Sequence, residues 1–215
     1  MRNAEDDQMS SDIADIVELA TRVKRVAMGH PRAFVGIDGP GASGKSTLAE
    51  QLVPAMGDAY LVHVDDFYLP SSRRHERLGE VGPSFDLPRL AEQVIVPGSA
   101  GEALRYQRYD WVQDELAQWI DIPSGAPVVL EGVFCLTAEL RDAYTFKIWC
   151  RANPMLRLTR GLARDGEEAR SMWTDVWMPA ENEYAASQHP ERLADLVLDS
   201  SPDSAGSQVF RIVAV

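Results

Sequence analysis

Cysteine is scarce in this chain: Cys135 and Cys150 are the only two among 215 residues. Both stand in apolar, strand-like company, Val133-Phe134-Cys135-Leu136 and Lys147-Ile148-Trp149-Cys150. Such thiols are expected to be buried and free, which excludes a disulfide framework or a thiolate metal centre as the basis of the fold. The four histidines show no ligand spacing. Apolar runs fall well short of the roughly 18 residues that a membrane span needs. Residues 1–15 are acidic and lack the basic-then-apolar order of a signal peptide, so a cytoplasmic protein is expected. Positive charge is also in deficit, with 21 Lys and Arg against 33 Asp and Glu, a formal net charge of −12. That balance argues against nucleic acid or an anionic membrane as the main partner, because both need basic surface. An anionic ligand would have to be met by a local concentration of Lys and Arg. There is no internal repeat and no low-complexity tract.

What is present is the composition of a globular domain, 45% hydrophobic and 25% charged. The length suits one domain over residues 1–215, with residues 1–10 expected to be disordered and room for a small lid. The most specific feature is Gly39-Pro40-Gly41-Ala42-Ser43-Gly44-Lys45-Ser46 followed by Thr47. It matches G-x-x-x-x-G-K-[ST] and lies between an apolar run, Ala33 to Asp38, and a helical pattern opening at Thr47-Leu48. Glycines let backbone amides converge on phosphate oxygens, and the helix start adds a favourable dipole. Lys45 is positioned to reach the β- and γ-phosphates and the Ser46 hydroxyl to ligate Mg²⁺, so the pattern predicts binding of a nucleoside triphosphate, ATP with Mg²⁺.

Along the chain, apolar spacing predicts a helix from Ser10-Ser11-Asp12 to about Ala27, ended by Gly29-His30-Pro31. A strand at Tyr60–Val64 stops at Asp65-Asp66. Residues 69–84 read as a long polar excursion, and Asp86 as the N-cap of a helix carrying Leu87, Leu90, Ala91, Val94 and Ile95. Residues 97–110 read as a loop and Leu116, Trp119 and Ile120 as a short helix. Strands are expected at 127–131, 146–150, 194–198 and 209–213, and Asn153-Pro154 as the cap and first turn of a helix. Aromatic residues Trp173, Trp177 and Tyr184 follow in a helical stretch. Alternating strand and helix patterns predict an α/β fold of three layers, with a mostly parallel central sheet and helices on both faces.

Ligands of such sheets bind beyond the carboxyl ends of the strands. Asp38, Asp65 with Asp66, and Glu131 stand at such ends. A solvated turn is the ordinary role of one such acid, but beside a triphosphate loop Asp65 is expected to be the catalytic base and, through water, a metal ligand. Glu131 is expected to complete the magnesium shell, and Asp38 to shape the loop. Arg157, Arg160 and Arg164 share helical faces. A solvated surface is the plain reading; a lid over 157–170 that lays arginines on the β,γ-phosphates is the sharper one, with Arg160 and Arg164 joining Lys45 and Asp65 as catalytic candidates.

These segments together resemble the uridine kinase and phosphoribulokinase group of P-loop kinases. The matching pieces are Gly36-Ile37-Asp38-Gly39 through Lys45-Ser46-Thr47, Asp65-Asp66-Phe67-Tyr68, Arg108-Tyr109-Asp110-Trp111, Val129-Leu130-Glu131-Gly132, and Arg157-Leu158-Thr159-Arg160 through Arg164-Asp165. The resemblance covers about residues 33–200. It implies a five-stranded parallel core, an arginine-bearing lid and an acceptor pocket lined by Tyr68, Arg108, Tyr109 and Asp110, to which Asp66 and Asp86 are added as candidates. It implies an ATP-dependent transfer of a phosphoryl group to a hydroxyl of a small metabolite, a nucleoside first. Departures bear on the acceptor: Asp114 stands where uridine kinases usually carry a histidine, and residues 78–86 look at least as much like those of glycerate and pantothenate kinases. The alternatives are such a non-nucleoside kinase, or a nucleotide-binding switch ATPase. Neither nucleic acid nor membrane is expected as a partner, and a homo-oligomer is compatible with the sequence.

Overall fold

The computed structural model describes residues 15–77, 81–201 and 209–214. The expected disorder of 1–10, the expected helix start at 10–12 and residues 78–80 of the excursion lie outside that range. Helix α1 spans Ile16–Val26, and its N-cap is Asp15, whose carboxylate accepts from the amides of Val17 (2.8 Å) and Glu18 (3.0 Å). Strand β1 (Phe34–Asp38) leads through the glycine-rich loop into α2 (Lys45–Met56), and β2 (Tyr60–His63) runs into a 3₁₀ turn at Val64–Phe67. Helix α3 covers 87–99 and contains a π segment at Ala91–Ile95. Then come β3 (Leu104–Asp110), β4 (Glu115–Ile122), β5 (Val128–Glu131), β6 (Phe146–Arg151) and α4 (Pro154–Asp165). Helix α5 covers 172–188, its first part a π segment at Met172–Trp177, and is followed by α6 (Pro190–Leu193), β7 (Leu196–Asp199) and β8 (Arg211–Ala214).

Six strands form one sheet in the order β2-β5-β1-β6-β7-β8. All neighbours run parallel except β8, which is antiparallel to β7. β1 and β5 are buried along their whole length, the continuous apolar run of strands covered on both faces. Their side chains divide by period 2. Val35, Ile37, Val129 and Ile148 pack with Leu19, Leu48, Leu52 and Met56 of α1 and α2. Phe34, Val62, Val128 and Leu130 pack with Leu90 and Val94 of α3 and with Leu104, Tyr106 and Ile122. Cys150 belongs to the first layer and Cys135 to the second, both buried and free. No helix among the described residues is long and apolar enough to cross a membrane.

The expected loop at 97–110 and the short helix at 116–120 are corrected by the structure. Residues 104–122 form an antiparallel hairpin, with Leu104 opposite Ile122 and Tyr106 opposite Ile120. Leu116, Trp119 and Ile120 have the i, i+3, i+4 spacing of a helix, but Leu116, Ile120 and Ile122 also fit period 2. Pairing with the buried Leu104, Tyr106 and Tyr109 of β3 decides between the two. Asp110 shapes the turn by accepting from the amides of Val112 (2.8 Å) and Gln113 (2.9 Å).

Candidate functional site

The site is assembled at the carboxyl ends of β1, β2 and β5. Parallel register sets Ile37 of β1 and His63 of β2 against Glu131 of β5, so the loops leaving β1 and β2 emerge side by side. At Gly39 the backbone has φ +143°, and a Cβ there would overlap the carbonyl oxygen of Cys150; only glycine fits. Gly44 is the N-cap of α2 and offers no side-chain cap, which leaves the first-turn amides open to an anion. Ser43 and Lys45 are buried, Ser46 is exposed, and Gly41, Ala42 and Thr47 are half-buried. The Lys45 ammonium donates to the Pro40 carbonyl at 3.0 Å.

Asp38 behaves as expected of a loop-shaping residue. Fully buried, it accepts from the amides of Gly39 (2.6 Å), Phe134 (3.1 Å) and Leu136 (2.8 Å) and from the Tyr184 hydroxyl (2.7 Å). Burial pushes its pKa up to about 6, against the pull of those donors and of Lys45.

Glu131 bridges the two sides of the cleft. Its Oε2 accepts from the Ser46 hydroxyl at 3.2 Å, and its Oε1 lies 2.6 Å from His63 Nδ1. Burial opposes its charge, but the His63 hydrogen bond and Lys45 hold its pKa below the ordinary carboxylate value; the same hydrogen bond raises that of His63. Asp65 is accessible from the cleft yet walled by protein. Loss of surrounding water and then the Glu131 charge raise its pKa, while Lys45, His63 and Arg164 act against them. Asp65, Glu131, Lys45, Ser46 and Arg164 thus share one electrostatic neighbourhood.

The three candidate lid arginines separate. Arg157 is buried, donating from Nε to the Gly41 carbonyl (3.0 Å) and pairing with Glu181, whose Oε1 accepts from the Gly41 amide at 2.9 Å. Arg160 binds the hydroxyl and carbonyl of Ser200, both at 2.9 Å, and approaches the Ala42 carbonyl. Arg164 alone keeps an exposed guanidinium, held by Asp165 at 2.7 and 2.9 Å. Two residues that sequence reasoning missed matter here. His63 carried a usable signal, since it is two residues before Asp65 at a strand end. Glu181 carried none, because its partner Gly41 is 140 positions away.

The acceptor candidates lie around the 3₁₀ turn after β2, where it packs against the β3–β4 hairpin. Asp66 is buried, paired with Arg108 (3.1 Å), and accepts from the Tyr106 hydroxyl (3.3 Å). Residues 67–69 pair with 84–86 through Leu69 N to Ser84 O (2.8 Å) and Asp86 N to Phe67 O (2.7 Å). That pairing brings Tyr68 beside Asp86, which caps α3. Tyr68 packs on Phe85, Tyr109 and Trp111, with centroids 4.6–5.8 Å apart. The Tyr109 hydroxyl donates to Asp114, which also accepts from Ser71 and lies 3.5 Å from Arg74. Those donors hold the Asp114 pKa down at about 2. Arg108, Tyr109, Asp110 and Trp111 line a shallow groove of about 280 Å³ on the hairpin.

Comparison with known proteins bears on the fold and the family. The chain is 30% identical over 158 residues to a uridine kinase of Pectobacterium carotovorum, covering 66% of this chain and 73% of that one. It is 23% identical over 186 residues to a uridine kinase of Geobacillus kaustophilus, covering 80% and 87%. Among solved structures, one described as a possible uridine kinase from Bacillus stearothermophilus superposes with a TM-score of 0.62 at 22% identity, over 84% of this chain and 98% of that one. A D-glycerate 3-kinase from Cryptococcus neoformans does so at 0.55 and 16%, over 78% and 87%. The family model described as "Phosphoribulokinase / Uridine kinase family" matches residues 34–203, most of the chain, which therefore belongs to that family.

Proposed function

We propose that this protein is an ATP-dependent kinase that transfers the γ-phosphoryl group to a hydroxyl of a small metabolite. The observation that carries the reading is the meeting of Asp65, Glu131, Lys45 and Ser46 at the mouth of one phosphate-binding loop. In this reading, loop amides and Lys45 hold the triphosphate tail. Asp65, its pKa raised, accepts the proton of the attacking hydroxyl, and Arg164 faces the charge that develops on the transferring group. The oxygens of Ser46, Glu131 and Asp65 fit Mg²⁺. No cluster of three or more His, Cys, Asp or Glu among the described residues could cage a metal, and Mg²⁺ characteristically takes one or two carboxylates with phosphates and water. When bound, the ion neutralises charge on the β- and γ-phosphates.

A nucleoside is the first acceptor to test, supported by the uridine kinases among the relatives and by the aromatic faces of Tyr68 and Trp111, the latter 58% exposed. One observation favours a smaller, non-nucleoside acceptor such as glycerate or pantothenate: the Tyr109 hydroxyl is already engaged by Asp114. Mg-ATP with a panel of nucleosides, glycerate and pantothenate tests both, with acceptor-dependent ADP formation as the readout. Turnover needing no acceptor would instead support a switch ATPase. With the acceptor found, Asp65→Asn is expected to lower turnover by roughly 10²–10⁴ while ATP still binds. Lys45→Ala is expected to weaken ATP binding itself. Equal, mild effects from the two would reassign the roles.

A further inference from the structure

Trp173 has 1% of its surface exposed and touches three parts of the site at once. One edge of its six-membered ring lies against the phosphate loop, where a Cβ on Gly41 would come within 3.0 Å of Cη2. Its face covers Gly161 of α4 so closely that a Cβ there would overlap the indole. At the other end, Nε1 donates to Asp165 Oδ2 at 3.0 Å. Asp165 is the carboxylate that grips Arg164 through Nε (2.7 Å) and Nη2 (2.9 Å), and the Arg164 guanidinium carbon sits 5.9 Å from the indole centroid. Trp177 braces the plate edge-on, with ring centroids 5.3 Å apart.

A rigid aromatic plate therefore spans the distance from a loop glycine to the carboxylate that orients Arg164. A buried indole N–H needs a partner, and here that partner is the carboxylate that grips Arg164. The bidentate fork leaves Arg164 three N–H donors, and its charge is felt by Asp65 and Glu131 across the cleft. We infer that Trp173 is a positioning residue: through Asp165 it fixes Arg164 at a set distance from the phosphate loop, so that the guanidinium reads the terminal phosphate of the bound nucleotide. This rests on the reading that the loop takes Mg-ATP and that Arg164 faces its γ-phosphate.

Calorimetric titration of the full chain with Mg-ADP and with the Mg complex of β,γ-imido-ATP tests it without any acceptor. The wild type is expected to prefer the triphosphate analogue. Arg164→Ala should cut that preference by roughly tenfold, the loss of one charge-assisted hydrogen bond. Trp173→Phe leaves an aromatic ring in the pocket but removes the donor. It should cut the preference to a similar extent, with ADP affinity unchanged, and the double variant should lose no more than Arg164→Ala alone. Asp165→Asn, half-buried and at a helix end, carries the same expectation should Trp173→Phe fail to fold. A wild-type preference in Trp173→Phe, equal weakening of both nucleotides, or losses that add to those of Arg164→Ala would each overturn the inference while leaving the kinase reading intact. If Arg164→Ala keeps the full preference, the assigned role of Arg164 falls and this inference with it. If the wild type binds neither nucleotide, the proposed function itself fails.

Discussion

Asp38 illustrates how one buried carboxylate can shape a loop from within. Four donors converge on a carboxylate with no solvent exposure, and burial still outweighs them, raising its pKa to about 6. A carboxyl whose folded pKa exceeds the unfolded value of about 3.9 binds its proton more tightly in the native state, so its contribution to stability declines as pH rises. The contribution is complete below about pH 4 and lost by about pH 6, a difference of about 3 kcal/mol. Denaturation at a series of pH values should show the advantage of the wild type over Asp38→Asn narrowing across that window; a constant difference would mean that Asp38 titrates normally. Much at this scale was legible. The loop from Gly39 to Thr47, Asp65 and Glu131 were readable because motif spacing and strand ends are local. His63 was overlooked although it stands two residues before Asp65 at a strand end, and Glu181 could not be read because its partner Gly41 comes into reach only once distant helices pack.

At the scale of elements, the mostly parallel α/β sheet followed from alternating strand and helix patterns, whereas the β3–β4 hairpin did not. Leu116, Trp119 and Ile120 fit two periodicities, and only the partner strand separates them. Helices α4 and α5 meet the phosphate loop through one buried ion pair, Arg157 with Glu181, which binds both the amide and the carbonyl of Gly41. Neither helix shows in its own sequence that it will supply half of this clamp. Removing one partner strands the other charge and a backbone amide away from water. Glu181→Ala is therefore expected to cost about 3–5 kcal/mol in chemical denaturation. The exposed neighbour Glu183→Ala should stay within about 0.5 kcal/mol. Equal effects would show that the pair is dispensable.

For the whole molecule, the sheet separates two apolar layers, and the site sits on the rim where both end. At a net charge of −12, binding of an anion would depend on the few cations gathered at that rim, Lys45 and Arg164 foremost. The two thiols lie on opposite sides of the sheet, and their acidity is suppressed, Cys150 pushed up to about 12 and Cys135 well above its usual value. Alkylating reagents attack thiolates, so neither sulfur should be labelled by iodoacetamide until its own side of the molecule breathes. Nature has thereby installed a pair of internal stopwatches. Matched labelling rates by mass spectrometry are the expected outcome for a molecule that opens all at once, whereas a head start for either cysteine would identify the half that lets go first.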